Sequence, residues 1–335
     1  MTHFDGFRGY LRMTPTQPFF EPETSKTPAK QAESHLHKYN IAHFAPESPS
    51  RVTRTLAIDI GGTNFSLGLF EDEQLTRSET RPTARDGGPQ QMLSDMASIV
   101  QGWQLTSAID RIGIGFGGPV HFPSQRVIYS THVAGWDGFD LTGEVSRHFG
   151  AAAVVDRDTM VGALGEGCFG AGQHHRPLFY ITISTGIGGG LLLDDGLYRG
   201  ADSFACELGH HCVLPDGPVC ICGSSGCLER MCSGLWLERD HGIDAKTLLQ
   251  DPKFVEQYVI HLARGLKNTI MFMNPARIVI GGGISRAGER LFLPLREELG
   301  RQIPSWSKAR IDVVPAALEG KSVLWGALKL AELEL

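Results

Sequence analysis

No run of apolar residues in this chain approaches the roughly 20 needed to cross a bilayer, so a membrane-spanning helix is not expected. Basic charge is not in excess either. Lys and Arg number 31 against 37 Asp and Glu, giving a net charge of -6 and a pI near 6.1, which argues against a partner held through nucleic-acid phosphates. A dispersed cysteine framework is also lacking. Five of the seven cysteines fall between Cys206 and Cys227, a distribution that suits metal ligands and buried thiols in a reducing, cytoplasmic compartment. The start of the chain has neither a basic cap nor an apolar core segment, so a signal peptide is not expected.

The chain has 335 residues, enough for about two domains. Its 41% hydrophobic and 20% charged residues describe an ordinary globular protein. Residues 1–51 are rich in Pro, Thr, Ser, Glu, Lys and His without helical or strand periodicity, and read as a disordered tail. The 41 glycines exceed the average of about 7%. They cluster at the ends of apolar runs, where a backbone turns sharply or comes close to a ligand.

Order begins at Thr55 with an apolar strand through Asp59, a turn at Gly61, Gly62 and Thr63, and a second strand from Asn64 in which Phe65, Leu67 and Leu69 alternate with small or polar residues. A Walker loop or dinucleotide fingerprint would have a helix after its glycines, so both fail here. The turn can still offer backbone N–H groups to a phosphate, and Asp59 is placed to hold Mg²⁺ directly or through water. An ordinary hairpin explains this motif equally well. The pattern recurs over residues 179–194, with Thr185 and Gly186 in the turn, and the repetition points to an internal duplication.

Between the repeats, Met92, Met96, Ile99, Val100 and Trp103 mark one face of a helix destined for the core. A strand from Arg111 runs into a turn at Gly117 and Gly118. The polar and aromatic segment 130–138 suits either the wall of a sugar pocket or a surface turn anchored by Trp136. A strand at 152–155 delivers Asp158, followed by a small-residue helix from Met160; an aspartate at such a junction is ordinarily an N-cap. Further on, a helix with Val255, Val259, Leu262, Leu266, Ile270 and Met273 at helical spacing ends at Asn274 and Pro275. The strand from Arg277 meets Gly281, Gly282 and Gly283, a turn that lets a flat ring or ribose lie close to the backbone, and a helix over 287–299 follows. The last helix, 322–334, is expected to cross back onto the first domain.

The most distinctive stretch is Glu207, His210, Cys220, Cys222, Cys227 and Glu229. One imidazole and three thiols in a short loop match the donor set of a closed structural zinc site, with free thiols or a disulfide as the alternative. Glu207 and His210 stand one helical turn apart, so ligation of His210 would also fix Glu207.

Taken together, Asp59-Ile-Gly-Gly-Thr63, Gly115-Phe-Gly-Gly-Pro-Val120, Asp158 with Ala163-Leu-Gly-Glu166, Ser184-Thr-Gly-Ile-Gly-Gly-Gly190, Glu207-Leu-Gly-His210, Cys220-Ile-Cys-Gly-Ser-Ser-Gly-Cys-Leu-Glu229 and Ile278-Val-Ile-Gly-Gly-Gly283 resemble the ROK family of sugar kinases and sugar-responsive repressors. The resemblance covers the chain from about residue 54 to the end. It implies an α/β, two-domain actin-like ATPase (ribonuclease H-like) fold with duplicated halves and a cleft between them. The domains would be 52–158 plus 318–335, and 159–317. It implies ATP-dependent phosphorylation of a hexose or N-acetylhexosamine at the 6-hydroxyl, with Asp158 as catalytic base. Sugar contacts would come from Glu207, His210, Glu229, Gly118 and the Arg157 position. Nucleotide contacts would come from Asp59, Gly61, Gly62, Thr63, Asn64, Thr185, Gly186, Gly281, Gly282 and Gly283. Mg²⁺ would accompany ATP, structural Zn²⁺ would sit on His210, Cys220, Cys222 and Cys227, and a homodimer or larger homo-oligomer is implied.

Three positions depart from that pattern. Arg157 stands where the family has an asparagine contacting sugar hydroxyls, Met160 where a second asparagine is common, and Gly117 where a proline is usual. Arginine is donor-only and cannot replace an amide's paired donor and acceptor. Either the substrate carries an anionic or differently placed group, or Arg157 turns away and another residue fills in. A sugar-sensing regulator would need a DNA-reading domain, for which the first fifty residues are too short and unpatterned. A sugar-binding protein with an inactive site is the remaining alternative.

Overall fold

The structure is a computed structural model describing residues 51–130, 133–194, 196–303, 309 and 312–335. Residues 1–50 of the expected tail, and Thr131 and His132 of the 130–138 segment, lie outside the described residues.

The chain builds the same sheet twice. The first half runs β1 (Arg54–Ile60), β2 (Asn64–Glu71), β3 (Gln74–Pro82), α1 (Gly88–Gly102), β4 (Arg111–Phe116), the short pair β5 (Val120–His121) and β6 (Arg126–Val127), α2 (Leu141–Phe149) and β7 (Ala152–Arg157). Helix α3 (Asp158–Phe169) leads to the second half: β8 (Leu178–Ile183), β9 (Ile187–Leu193), β10 (Gly196–Leu197), α4 (Leu228–Cys232), α5 (Gly234–His241), α6 (Ala245–Leu248), α7 (Pro252–Met273), β11 (Arg277–Gly281), α8 (Glu289–Gln302) and β12 (Val313–Pro315). Helix α9 (Ser322–Glu334) closes the chain. The sheet orders are β3-β2-β1-β4-β7 and β10-β9-β8-β11-β12. In each, the first three strands of the half are antiparallel and the last two run parallel to the first. This is the duplicated ribonuclease H-like unit of the actin-like ATPase fold.

Burial explains why the sequence patterns differ along the chain. One apolar cluster packs α1 and α2 on the first sheet, and another packs α4, α7 and α8 on the second. A third lies at the seam, where α3 and α9 are enclosed by residues of both sheets, among them Ala57, Val154, Tyr180 and Val279. A helix enclosed on all sides needs no polar face, and every residue of α3 from Thr159 to Gly167 is buried. The two helices touch backbone to backbone. A Cβ on Gly326 would come 1.7 Å from the Val161 carbonyl oxygen, and one on Gly165 would come 2.0 Å from that of Ser322. Helix α9 therefore returns to the first half as expected.

Beyond its first residue, Asp158, the one charged residue of α3 is Glu166, fully buried. Its carboxylate accepts hydrogen bonds from the Ala171, Ala317 and Leu318 N–H groups and the Ser322 hydroxyl, at 2.7 to 3.2 Å. It joins the end of α3 to the loop between β12 and α9.

Local signals set the element ends. Asp251 caps α7 by accepting from Lys253 N–H, Pro252 occupies its first turn, and Asn274 ends it in the left-handed conformation. Two boundaries differ from expectation. The helix expected over 287–299 is a 3₁₀ turn, Ile284–Ala287, followed by α8, because Gly288 at φ 61° breaks the run. The helical turn expected at 207–210 is a 3₁₀ turn over Leu208–His210.

Candidate active site

The ends of β1, β7 and β8 and the turns after β1, β8 and β11 converge where the two halves meet. Asp59, one residue from the end of β1, and Asp158, the first residue of α3, keep a partly exposed face and are otherwise enclosed by protein. Burial raises the Asp59 carboxyl to about 8, and the charge of Asp158 adds to the effect. Burial also raises Asp158, to about 6, opposed by a hydrogen bond from Thr159 N–H at 2.7 Å and by the charge of Arg157, and reinforced by that of Glu207. The preceding residue, Arg157, occupies the N-cap position of α3, so Asp158 is not the cap. A carboxylate with a pKa near 6 is largely ionised at pH 7 and can still take a proton.

The first glycine turn is held by its own half. Gly61 N–H donates to the Asn64 carbonyl at 3.0 Å, the Thr83 hydroxyl donates to the Gly61 carbonyl at 2.7 Å, and Thr83 N–H donates to the Thr63 carbonyl at 2.9 Å. The second has its own hairpin bond, Ser184 N–H to the Gly186 carbonyl at 2.9 Å, and is held in addition from α4 and α5. Gly234 N–H donates to the Ser184 carbonyl at 2.7 Å, and the Glu229 carboxylate accepts from Ile187 N–H at 2.8 Å. The Thr63 and Thr185 hydroxyls lie 3.2 Å apart, so the two turns face each other across the seam. The third turn abuts the second. Gly282 has φ 82°, and a Cβ there would come 2.3 Å from the Ile183 carbonyl oxygen, so only glycine suits the position. Gly118 lies beside Phe116 and the Tyr129 carbonyl at the end of β4. Trp136 is buried against Phe116 and Phe139, the anchoring alternative for its loop.

The donor atoms of His210, Cys220, Cys222 and Cys227 all lie within 4.8 Å of one another. Cys222 and Cys227 Sγ are 3.6 Å apart, and Cys220 Sγ is 3.8 Å from His210 Nδ1. A tetrahedral ion with Zn–S bonds of about 2.3 Å sets sulfurs roughly 3.8 Å apart, so the donors fit such an ion as they stand. The Ser224 backbone N–H draws the Cys222 thiol down to about 7, whereas burial raises Cys220, and raises Cys227 to about 12. Ligation would displace those protons, so affinity for a cation falls as pH is lowered.

This cluster stands between the two carboxylates expected to meet a sugar. Glu207 leads into the 3₁₀ turn that carries His210, and Glu229 follows Cys227 by two residues in α4. Glu229 also reaches back to the second turn, a link between the cysteine loop and a glycine turn that residue order alone does not show. The partners of Arg157, and the role of Asp156 beside it, are visible only in three dimensions. Arg157 is buried, with Nη1 donating to Glu207 Oε1 and Nη2 to the Ala205 carbonyl. Asp156, also buried, pairs with Arg199 Nε at 2.7 Å. The one available signal was charge inside otherwise apolar segments: Asp156 and Arg157 end a buried strand, and Glu166 lies in a buried helix.

The ROK family profile matches residues 55–334. The chain is 32% identical over 306 residues to the glucokinase of Thermotoga maritima, covering 83% of this chain and 96% of that protein. Its structure is similar to that of a ROK family glucokinase from Streptomyces griseus in complex with glucose and AMPPNP, with a TM-score of 0.74, 28% identity, and coverage of 84% and 99% of the two chains. The ROK hexokinase from Thermus thermophilus gives a TM-score of 0.73 at 29% identity, with the same coverage. With that profile match over residues 55–334 and a glucokinase relative at 32% identity, this chain belongs to the ROK family.

Proposed function

We propose that this chain is an ATP-dependent sugar kinase that phosphorylates a hexose or N-acetylhexosamine at its 6-hydroxyl. The observation that carries this reading is Asp158: a carboxylate with a pKa near 6, beside the place where Thr63 and Thr185 bring two glycine turns together. Phosphoryl transfer asks for alignment and charge neutralisation more than for covalent chemistry. Asp158 accepts the proton of the sugar hydroxyl as that oxygen attacks the terminal phosphate. The backbone N–H groups of the two turns hold the transferring and leaving phosphates, and the third turn, at Gly281, Gly282 and Gly283, lies along the nucleoside.

Mg²⁺, when bound near Asp59, supplies neutralisation of phosphate charge. Because burial favours the protonated form of Asp59, a cation there takes the place of a proton. His210, Cys220, Cys222 and Cys227 would hold Zn²⁺, which would fix the loop that carries the proposed sugar contacts. Ligation through His210 Nδ1 leaves Nε2 to donate to a hydroxyl, as Glu207 and Glu229 accept. The halves 52–158 plus 318–335 and 159–317 would act as the two domains of the cleft, in a cytoplasmic homodimer or larger homo-oligomer.

The test is a coupled ADP-release assay across hexoses and N-acetylhexosamines, with Asp158→Asn beside the parent protein. Turnover of one neutral sugar by the parent, and its loss in the variant with sugar binding retained, is the expected result. Turnover unchanged in Asp158→Asn would overturn the base assignment.

A further inference from the structure

Arg157 is the most unusual residue of the site. It ends β7 directly before Asp158, and its side chain is only 6% exposed. Its guanidinium does not open onto the cleft. Nη1 is spent on Glu207 Oε1 and Nη2 on the Ala205 carbonyl, while Nε is buried without a partner among the described residues. Glu207 remains 41% exposed, and no protein donor among the described residues takes its Oε2.

The segment that carries Glu207 is fastened to the first half at several points. Arg199 pairs with buried Asp156 and lies over the Phe122 ring, with its Cζ 3.5 Å from the centroid. Ser203 Oγ accepts from Phe122 N–H at 3.1 Å. Ser203 and Cys206 both adopt positive φ, 63° and 69°, a conformation that non-glycine residues keep only where surrounding contacts impose it. Arg157 is the tie nearest Glu207. A buried guanidinium paired in this way fixes direction, because leaving the carboxylate would strand a charge in the protein interior.

Resting on the kinase reading above, we infer that Arg157 is a positioning residue that acts through Glu207, holding its carboxylate so that Oε2 accepts one sugar hydroxyl, and that the site thereby takes a neutral sugar rather than an anionic one. The Arg157 side chain is only 6% exposed, so it offers little surface to a substrate anion. An anionic group beside Glu207 would meet a carboxylate, whereas a hydroxyl there donates to it.

The experiment measures binding by calorimetry and turnover by ADP release for the full chain. The probes are D-glucose, its 2-, 3- and 4-deoxy analogues, and the anionic probes glucose 1-phosphate and glucose 3-sulfate. Glu207→Gln identifies the hydroxyl that Glu207 reads, as the one whose removal no longer matters in that variant. Arg157→Gln is expected to weaken D-glucose binding roughly ten- to a hundredfold, the loss of one charge-assisted hydrogen bond. It should erase discrimination at that same hydroxyl and leave the ATP KM unmoved. The double variant should bind no more weakly than Glu207→Gln alone, since residues acting through one contact are not additive. Arg157→Lys, which keeps the charge but not the fork, should fall between.

Additive losses in the double variant, or a changed preference at a different hydroxyl, would overturn the inference. So would tighter binding of an anionic probe than of D-glucose by the parent protein, an arm that needs no variant to fold. Thermal melting of each variant separates lost positioning from lost folding. A parent protein that turns over no neutral sugar would instead overturn the kinase reading itself.

Discussion

The two glycine turns occupy equivalent places in equivalent sheets, yet they are held in different ways. The turn after β1 is closed by its own half, through Thr83 and its own hairpin backbone. The turn after β8 has its own hairpin bond from Ser184 N–H to the Gly186 carbonyl and adds α4 and α5 of the same half, which follow the cysteine loop, through Glu229 and the Gly234 N–H. Duplication therefore supplied two similar glycine turns, and the insertion between β10 and α7 adds contacts to one of them that, on the kinase reading, would tie it to the sugar side. Glu229 both accepts from Ile187 N–H beside the second turn and follows the cysteine loop, so on the proposed reading it would link sugar to nucleotide in the second half.

The largest expected effect belongs to neither turn. Asp158 lies at the seam, and its replacement by Asn should lower kcat roughly a hundred- to ten-thousandfold, the usual range for a general base. Its pH behaviour follows from the direction of its shift. The base works ionised, and its pKa is raised from 3.8 to about 6. The kcat/KM profile should therefore be flat near pH 7 and fall about tenfold per unit below pH 6. An acid limb near pH 4 would mean that burial does not govern this carboxyl in solution.

Next in size is loss of the metal, which should separate the two halves. Stripping the ion, or Cys227→Ser, frees His210 and the start of α4 together, so both Glu207 and Glu229 lose their orientation. The sugar KM should rise about ten- to a hundredfold, the scale on which ligand-orienting contacts matter. Elemental analysis and the sugar KM of the same sample check this together. A folded, metal-free protein with an unchanged sugar KM would break the proposed link between ion and sugar.

The cysteine loop was legible in the sequence because its donors lie within eighteen residues of one another and local spacing limits what they can do. The paired hairpins were legible for a similar reason: alternating apolar residues on either side of glycines declare strand, turn and strand wherever they occur. The ties that set the site's geometry were not. Arg157 reaches Glu207 across 50 residues, and Glu166 reaches Ser322 across 156; such pairings follow from topology, which no local pattern encodes. In the sequence, Arg157 could be read as a ligand for an anionic substrate. Its burial against Glu207 and the Ala205 carbonyl places it differently. Asp158 could be read as cap or base; the helix starts at it, with Arg157 in the N-cap position, which removes the cap reading and leaves the base as the proposal.

The smallest effects are the most direct measure of how differently the turns are held. Thr83→Val removes one neutral hydrogen bond from the first turn, worth about 1 kcal/mol or roughly fivefold in nucleotide affinity. The backbone bonds of Gly61 and Thr63 remain, so the sugar KM should not move. Glu229→Gln removes a charged acceptor from the second turn, and hydrogen bonds to charged groups are worth more. Nucleotide affinity should fall by about tenfold, and the sugar KM should rise with it. Measuring both constants for both variants turns the structural difference into a two-by-two comparison. If Glu229→Gln moves only the sugar constant, its bond to Ile187 N–H is incidental and the turns are supported alike. If it moves both while Thr83→Val moves only one, the second half couples its two ligands through Glu229.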